Sequence, residues 1–212
     1  MAPIPSLQRE TIVDAAIGIL EREGAAGLSM RRLASDLDSK PMTLYHYVPN
    51  KSALMAMALS EVAARIPWAV PVGPPRDRMV AIVMDMHDRL AEIPWIVSIL
   101  QQGTVVGTPA LRLADRFFDA AVELGFDDQR AVNLWRATWH LVAGELQLQG
   151  TLAAREPGER SWHEKINPDD VADMPNVARL MGSWAEMSSR FDLRAVVSDQ
   201  IDGAIAGVTS EQ

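Results

Sequence analysis

The sequence predicts an all-α protein, with an N-terminal three-helix unit built as a helix-turn-helix and a larger C-terminal helical part. Three observations carry that prediction. Apolar residues recur at three- and four-residue spacing, Gly and Pro interrupt them at helical intervals, and no alternating strand pattern or internal repeat occurs. With 212 residues, 48% of them hydrophobic, the chain is long enough to bury a sizeable core.

Ile12, Ala16, Ile19, Leu20 and Glu23 mark the first helix, which Gly24 and Gly27 end. Ser29 is a good N-cap for a second helix, because its hydroxyl can accept from the free N–H groups of the turn that begins at Met30. Met30, Leu33, Ala34 and Leu37 give that helix one apolar face, and Ala34 is small enough to let another helix cross closely. Asp38, Ser39 and Lys40 break the pattern. Pro41 opens a third helix, where its missing N–H costs nothing; Leu44 and Val48 form its inward pair and Pro49 closes it. Lys40, Pro41, Met42, Thr43, His46 and Tyr47 are left pointing outward. Donors, a methyl-bearing residue and flat rings on a short helix after a tight turn suit a DNA major groove. After Lys51 a fourth helix runs through Leu54, Met55, Leu59, Val62 and Ala63 to about Ile66, and Pro67, Pro71, Pro74 and Pro75 then impose a stiff extended segment.

Further helices are expected at about 76–93, 95–101, 109–124, 127–150, 176–183 and 192–208, with residues 155–175 as a long loop that could cover a pocket. In the helix over 127–150, Leu134, Trp135, Trp139, Val142, Leu146 and Leu148 spread around most of the circumference, so burial on two sides is expected. The last helix carries a stripe of Leu193, Val197, Ile201, Ala204, Ile205 and Val208, with Gly203 and Ala206 allowing close approach. Excess apolar surface on these two helices is what a homodimer interface requires; closing the monomer core is the plainer alternative.

The helix over Arg9 to Glu23, the run Leu28-Ser29-Met30-Arg31-Arg32-Leu33-Ala34 and the run Thr43-Leu44-Tyr45-His46-Tyr47-Val48-Pro49-Asn50-Lys51 together resemble the tetracycline-repressor (TetR) family of transcriptional regulators. The resemblance implies that Arg31 reaches a base edge and that Met42, His46 and Tyr47 lie on the recognition helix. Ser29, Thr43, Tyr45 and Lys51 match positions that grip phosphates. It also implies a four-helix dimer bundle from two helices of each subunit. One departure stands out: the turn usually carries Gly and then an apolar residue, whereas Asp38 and Ser39 stand there in this chain.

The formal charge of −8 is unfavourable for DNA, yet Arg31, Arg32, Lys40 and Lys51 against Asp36 and Asp38 leave the helix-turn-helix locally at +2. Cysteine is absent, which excludes disulfides and thiolate chemistry. Ile12 to Leu20 is broken by Asp14 and flanked by Glu10 and Glu21, so it is no signal peptide and a cytoplasmic location is expected. The uncharged run from Ile93 to Leu111 contains Pro94, Gln101, Gln102, Gly103 and Pro109 and does not suit a membrane span. No phosphate loop, nucleophile elbow or metal-ligand spacing appears, so neither enzyme activity nor a cofactor or metal is expected.

In the second part, Met84, His87, Trp95, Phe117, Trp135, Trp139, His140 and Glu145 lie on apolar helices and are the candidate contacts for a small, largely apolar ligand. Each taken alone is more often a core or surface residue, and Glu145 is expected to pair with Arg116 or Arg136, a cationic ligand being the alternative. The expected organisation is a helix-turn-helix domain over 1–50, a connecting helix and proline-rich linker over 51–75, and a ligand-binding and dimerisation domain over 76–212. The expected partners are double-stranded DNA with a palindromic operator, a small-molecule effector and a second copy held through 127–150 and 192–208. Two recognition helices would then lie about 34 Å apart. The alternative is a helical small-molecule- or partner-binding module without specific DNA binding.

Overall fold

Helices α1 (Arg9–Gly27), α2 (Met30–Asp36), α3 (Pro41–Tyr45) and α4 (Lys51–Arg65) open the chain. They are followed by α5 (Pro75–Ala91), α6 (Pro94–Leu100), a 3-10 turn at Thr108–Ala110, α7 (Leu111–Glu123) and α8 (Asp128–Ala153). Three short helices come next, α9 (Trp162–Lys165), α10 (Pro175–Met181) and α11 (Trp184–Ser189), and then α12 (Leu193–Thr209). This is a computed structural model; it describes residues 8–101, 103 and 107–209, and no strand occurs among them.

Local chemistry sets most helix starts. The Ser29 hydroxyl accepts from the Arg32 N–H at 3.1 Å, the Asn50 side chain from Ala53 at 2.8 Å and the Asp127 carboxylate from Arg130 at 2.7 Å. Pro41, Pro75 and Pro94 occupy first turns, where their lack of an N–H is harmless. Gly24, at φ +66°, breaks α1 near its end, so the regular part of the helix stops where the first glycine predicts.

The turn between α2 and α3 explains the departure noted at Asp38. This residue sits at φ +46°, the only non-glycine with positive φ among the described residues. Its N–H bonds to the Ser35 carbonyl at 3.2 Å, and the Ser39 N–H bonds to the Ala34 carbonyl at 2.8 Å. That pair of bonds is the Schellman closure, in which a left-handed residue ends a helix. Asp38 therefore winds the turn as glycine would, at a steric cost that Asp and Asn bear better than other side chains. Replacing Asp38 with Val is expected to cost about 1–2 kcal/mol, a fall of roughly 2–8 °C in melting temperature, whereas Asp38→Gly should be neutral or mildly stabilising. Equal melting temperatures for the two variants would contradict this account of the turn.

One continuous hydrophobic cluster reaches from Ile12 to Val208. Helix α5 is its axis and packs on α6, α7, α8 and α12, while α1 packs on α2, α4 and α6. Leu193, Val197, Ile201 and Val208 of α12 are buried against the same chain. Four of the six residues of the stripe thus serve the monomer core, while Ala204 and Ile205 are only partly buried. Leu148, expected within a helix buried on two sides, is instead exposed near the end of α8.

The proline segment is fastened rather than free. Trp68 donates its indole N–H to the Ala63 carbonyl at 2.9 Å, the Ala69 N–H donates to Asp85 at 2.9 Å, and Arg116 donates to the Ala69 carbonyl at 2.7 Å. Residues 155–175 are not the unbroken loop that their prolines and charges suggest. A capping box between Ser161 and Glu164 starts α9, and Asn167 caps a 3-10 turn at Pro168–Val171. Asn167 and Ser161 are themselves the signals that the proline count obscured.

Candidate nucleic-acid interface and helical cavity

Leu44 and Val48 are fully buried and anchor α3 from beneath. Backbone bonds from the N–H groups of Tyr47 and Val48 to the Leu44 carbonyl, both 2.9 Å, carry the helical path one turn past Tyr45. The opposite face lies open: Lys40, Met42, Tyr45 and His46 are exposed, and Pro41 and Thr43 are partly so. Met42, at 71%, is the most exposed large apolar side chain of the helix-turn-helix. Tyr47 departs from the outward set; it is half-buried and packs on the core, because its position follows Leu44 and precedes Val48 on the inward side.

The cations fall into two groups. Arg32 is engaged within the chain: Nη2 donates to Glu23 at 2.8 Å and Nε to Asp36 at 2.9 Å. Asp36 first, then Glu23, pushes its guanidinium pKa above the ordinary value. Arg32 thus ties α1 to α2, a role its sequence neighbours do not reveal. Arg31 and Lys40 are exposed and have no ion-pair partner among the described residues. Lys51 donates to the Ala25 carbonyl at 3.0 Å. Ser29 is exposed with its oxygen turned to the α2 N-terminus.

Behind the reader lies a cavity of about 340 Å³. Leu59, Ala63 and Ile66 of α4 and its cap form one wall, with Trp68 beside them. Met86 and Leu90 of α5, Ile96 and Leu100 of α6, Leu113 and Ala114 of α7, and Trp135 and Trp139 of α8 form the others, and Gly103, Gly107, Ala110 and Leu111 complete the lining. Among the described residues no charged side chain lines it, so a charged guest would be left unpaired in apolar surroundings. Burial and flat aromatic walls favour a neutral, planar guest.

Of the eight residues expected at a ligand, only Trp135 and Trp139 reach this cavity. Phe117 is fully buried behind it, with its ring centroid 5.1 Å from that of Trp135. Met84 lies in the core, and Met86, two positions on, takes the cavity place. His87 bonds its neighbour Asp88 at 2.9 Å through Nδ1. Trp95 lines a separate groove, with Ile17 of α1 and Val62 of α4. His140 faces solvent. Glu145 is half-exposed and accepts from Gln149 at 2.8 Å rather than from Arg116 or Arg136, because solvent and a residue one turn away already satisfy it. Gly107 and the α4 residues carried no sequence signal of this role; Trp68, an isolated aromatic among prolines, was the one available cue.

Among the described residues, no group of three His, Asp or Glu could hold a metal, and no helix is long and apolar enough to cross a membrane. An exposed recognition helix joined through α4 to an apolar cavity defines a helix-turn-helix DNA-binding regulator. Residues 12–58 match the model of the bacterial regulatory proteins of the tetR family. Over 176 residues the chain is 28% identical to an HTH-type transcriptional regulator of Saccharopolyspora erythraea, covering 82% of this chain and 75% of that one. It is 29% identical over 133 residues to the transcriptional repressor DrrR1 of Streptomyces coeruleorubidus, covering 62% of this chain and 49% of the relative. Its fold matches ActR of Streptomyces coelicolor in complex with actinorhodin at a TM-score of 0.74 and 20% identity, over 97% of this chain and 98% of ActR. Residues 12–58 thus carry the N-terminal domain of the tetR family of bacterial regulatory proteins.

Proposed function

We propose that this protein is a homodimeric transcriptional repressor that releases a palindromic operator when a small, neutral, largely apolar molecule occupies the cavity. One observation carries the reading: α4, separated from the recognition helix only by residues 46–50, is also a wall of the cavity. A guest that favours one packing of α5–α8 over another must displace α4, and with it the separation of two recognition helices. A differential affinity of a few kcal/mol between the two packings suffices. The binding of actinorhodin by ActR, a protein of the same fold, supports a small-molecule guest. In this reading residues 1–50 are the reader, 51–75 the connection and 76–212 the sensor and dimer domain.

At the DNA, Arg31 and Met42 with His46 read bases, while Ser29, Thr43, Tyr45 and Lys51 hold phosphates and Lys40 and Pro41 line the groove edge. Tyr47 supports the helix from below. Arg32, held by two carboxylates, contributes little, so three cations per subunit remain. The slope of log affinity against log salt should be about −5 for the dimer. The test uses DNA that the protein itself selects from a random-sequence pool. Arg31→Ala is expected to weaken the selected site by about 1–3 kcal/mol, roughly 5- to 150-fold, and relax preference at one base pair. Lys51→Ala should weaken all sequences alike and flatten the salt slope. No selected sequence, or indifference to Arg31→Ala, would overturn the reading in favour of a binding module without specific DNA contact.

A further inference from the structure

A groove of about 490 Å³, separate from the cavity, lies where the helix-turn-helix meets the helices behind it. Its apolar lining comes from both parts: Ile17 of α1, Val62 of α4 with Ile66 just beyond it, and Ile93 and Trp95 at the corner between α5 and α6. Trp95 is half-buried, and its indole N–H is enclosed with no acceptor. What Trp95 leaves open to the groove is therefore ring carbon. An aromatic face attracts a cation, and the positive N–H edge that would repel one is out of reach.

Glu21 of α1 and Glu92 at the C-terminal end of α5 line the same groove. Both are exposed, and neither has a hydrogen-bond or ion-pair partner among the described residues. Two guanidinium groups share the lining, but each is already matched: Arg65 by Asp14 at 2.5 Å and Glu61 at 3.0 Å, and Arg89 by Asp85 at 3.4 Å. The two glutamates thus set the sign of the groove. One exposed carboxylate attracts an ion only weakly, whereas two beside an apolar lining reward a guest that also withdraws apolar surface from water.

We infer that this groove binds a flat, largely apolar organic cation, its rings on the apolar lining and its charge shared between Glu21 and Glu92. An anion would be repelled by both carboxylates, and a neutral guest would use neither. A metal ion would lack ligands, since no group of three His, Asp or Glu able to hold one occurs among the described residues. The site is distinct from the cavity, whose described lining offers a cation no counter-charge, and it stands independently of the operator-release reading.

Fluorescence titration of the full chain, without DNA, tests it with N-methylacridinium, a flat cation of fixed charge, and with acridine, its neutral counterpart in mildly alkaline buffer. The cation is expected to bind the wild type, more weakly as salt screens the glutamates, and to lose at least tenfold in affinity for a Glu21→Gln, Glu92→Gln variant. Acridine should respond to neither change. A Glu156→Gln, Glu159→Gln variant removes the same charge elsewhere from a chain of net charge −8 and should alter the cation's affinity less than twofold. Ala114→Phe, which fills the cavity, should leave it unchanged. An unchanged melting temperature of the Glu21→Gln, Glu92→Gln variant, expected because both side chains are exposed, ties its loss of affinity to the site. No binding of the cation, an equal loss in both double variants, or a loss confined to Ala114→Phe would overturn the inference.

Discussion

Replacing Gly107 with alanine is expected to destabilise the protein by about 1–3 kcal/mol and to change operator affinity in the same variant. A Cβ there would lie 2.6 Å from the Leu59 carbonyl oxygen, 2.9 Å from its carbon and 3.1 Å from the Ser60 Cα. All three are backbone atoms of α4, so no side-chain rotation can relieve the overlap. Gly107 itself has an ordinary negative φ of −78°, so the cost is steric and not conformational. Either the Thr108–Ala110 turn retreats or α4 shifts, and only residues 46–50 separate α4 from the recognition helix. Melting temperature should fall by roughly 2–10 °C. Gly182→Ala is the control: it sits at φ −64° with nothing within 4 Å of the added carbon, and should be neutral or slightly stabilising. A Gly107→Ala protein with the wild-type melting temperature and operator affinity would sever the proposed link between cavity and reader.

Filling the cavity has the second large effect. Ala114→Phe places a ring in a space of about 340 Å³ whose lining is already aromatic and aliphatic. Removing that void should leave stability unchanged or raise it by about 0.5–2 kcal/mol, as cavity filling commonly does. Access for a guest should be lost at the same time. N-phenyl-1-naphthylamine, a neutral apolar dye, is expected to bind the wild type and lose at least tenfold in affinity for the variant, read from dye fluorescence. Dye binding that survives the substitution would show that the guest sits elsewhere, the groove beside Trp95 being the next candidate.

Much of the helix-turn-helix is legible in the sequence, and the reason is local. The Ser29 cap, the Pro41 start and the Leu44–Val48 pair depend on bonds and contacts within one or two turns, which residue type and spacing specify directly. Tyr47 is partly buried and also packs on the core, a contact that its position on a helix of barely two turns does not specify. The cavity was far less legible. Periodicity marks Leu59, Ala63, Met86 and Leu90 as inward, but an inward side chain that meets another side chain and one that meets a void have the same sequence pattern. Trp135 and Trp139 were found because large aromatics are frequent at pocket walls; His140 and Glu145, on the same helix, face water or a neighbour one turn away.

The amino-acid sequence by itself determined an all-helical chain, a capped helix-turn-helix at its start and a helical segment leading out of it, since each follows from interactions between residues close in the chain. Only the tertiary structure decided that α12 closes its own core, that Arg32 is bound to two carboxylates and that α4 walls the cavity. It also decided that between Thr151 and Asp192 only Val171 is buried. Those outcomes depend on which distant faces meet, and complementary shape across a hundred residues leaves no period in the sequence.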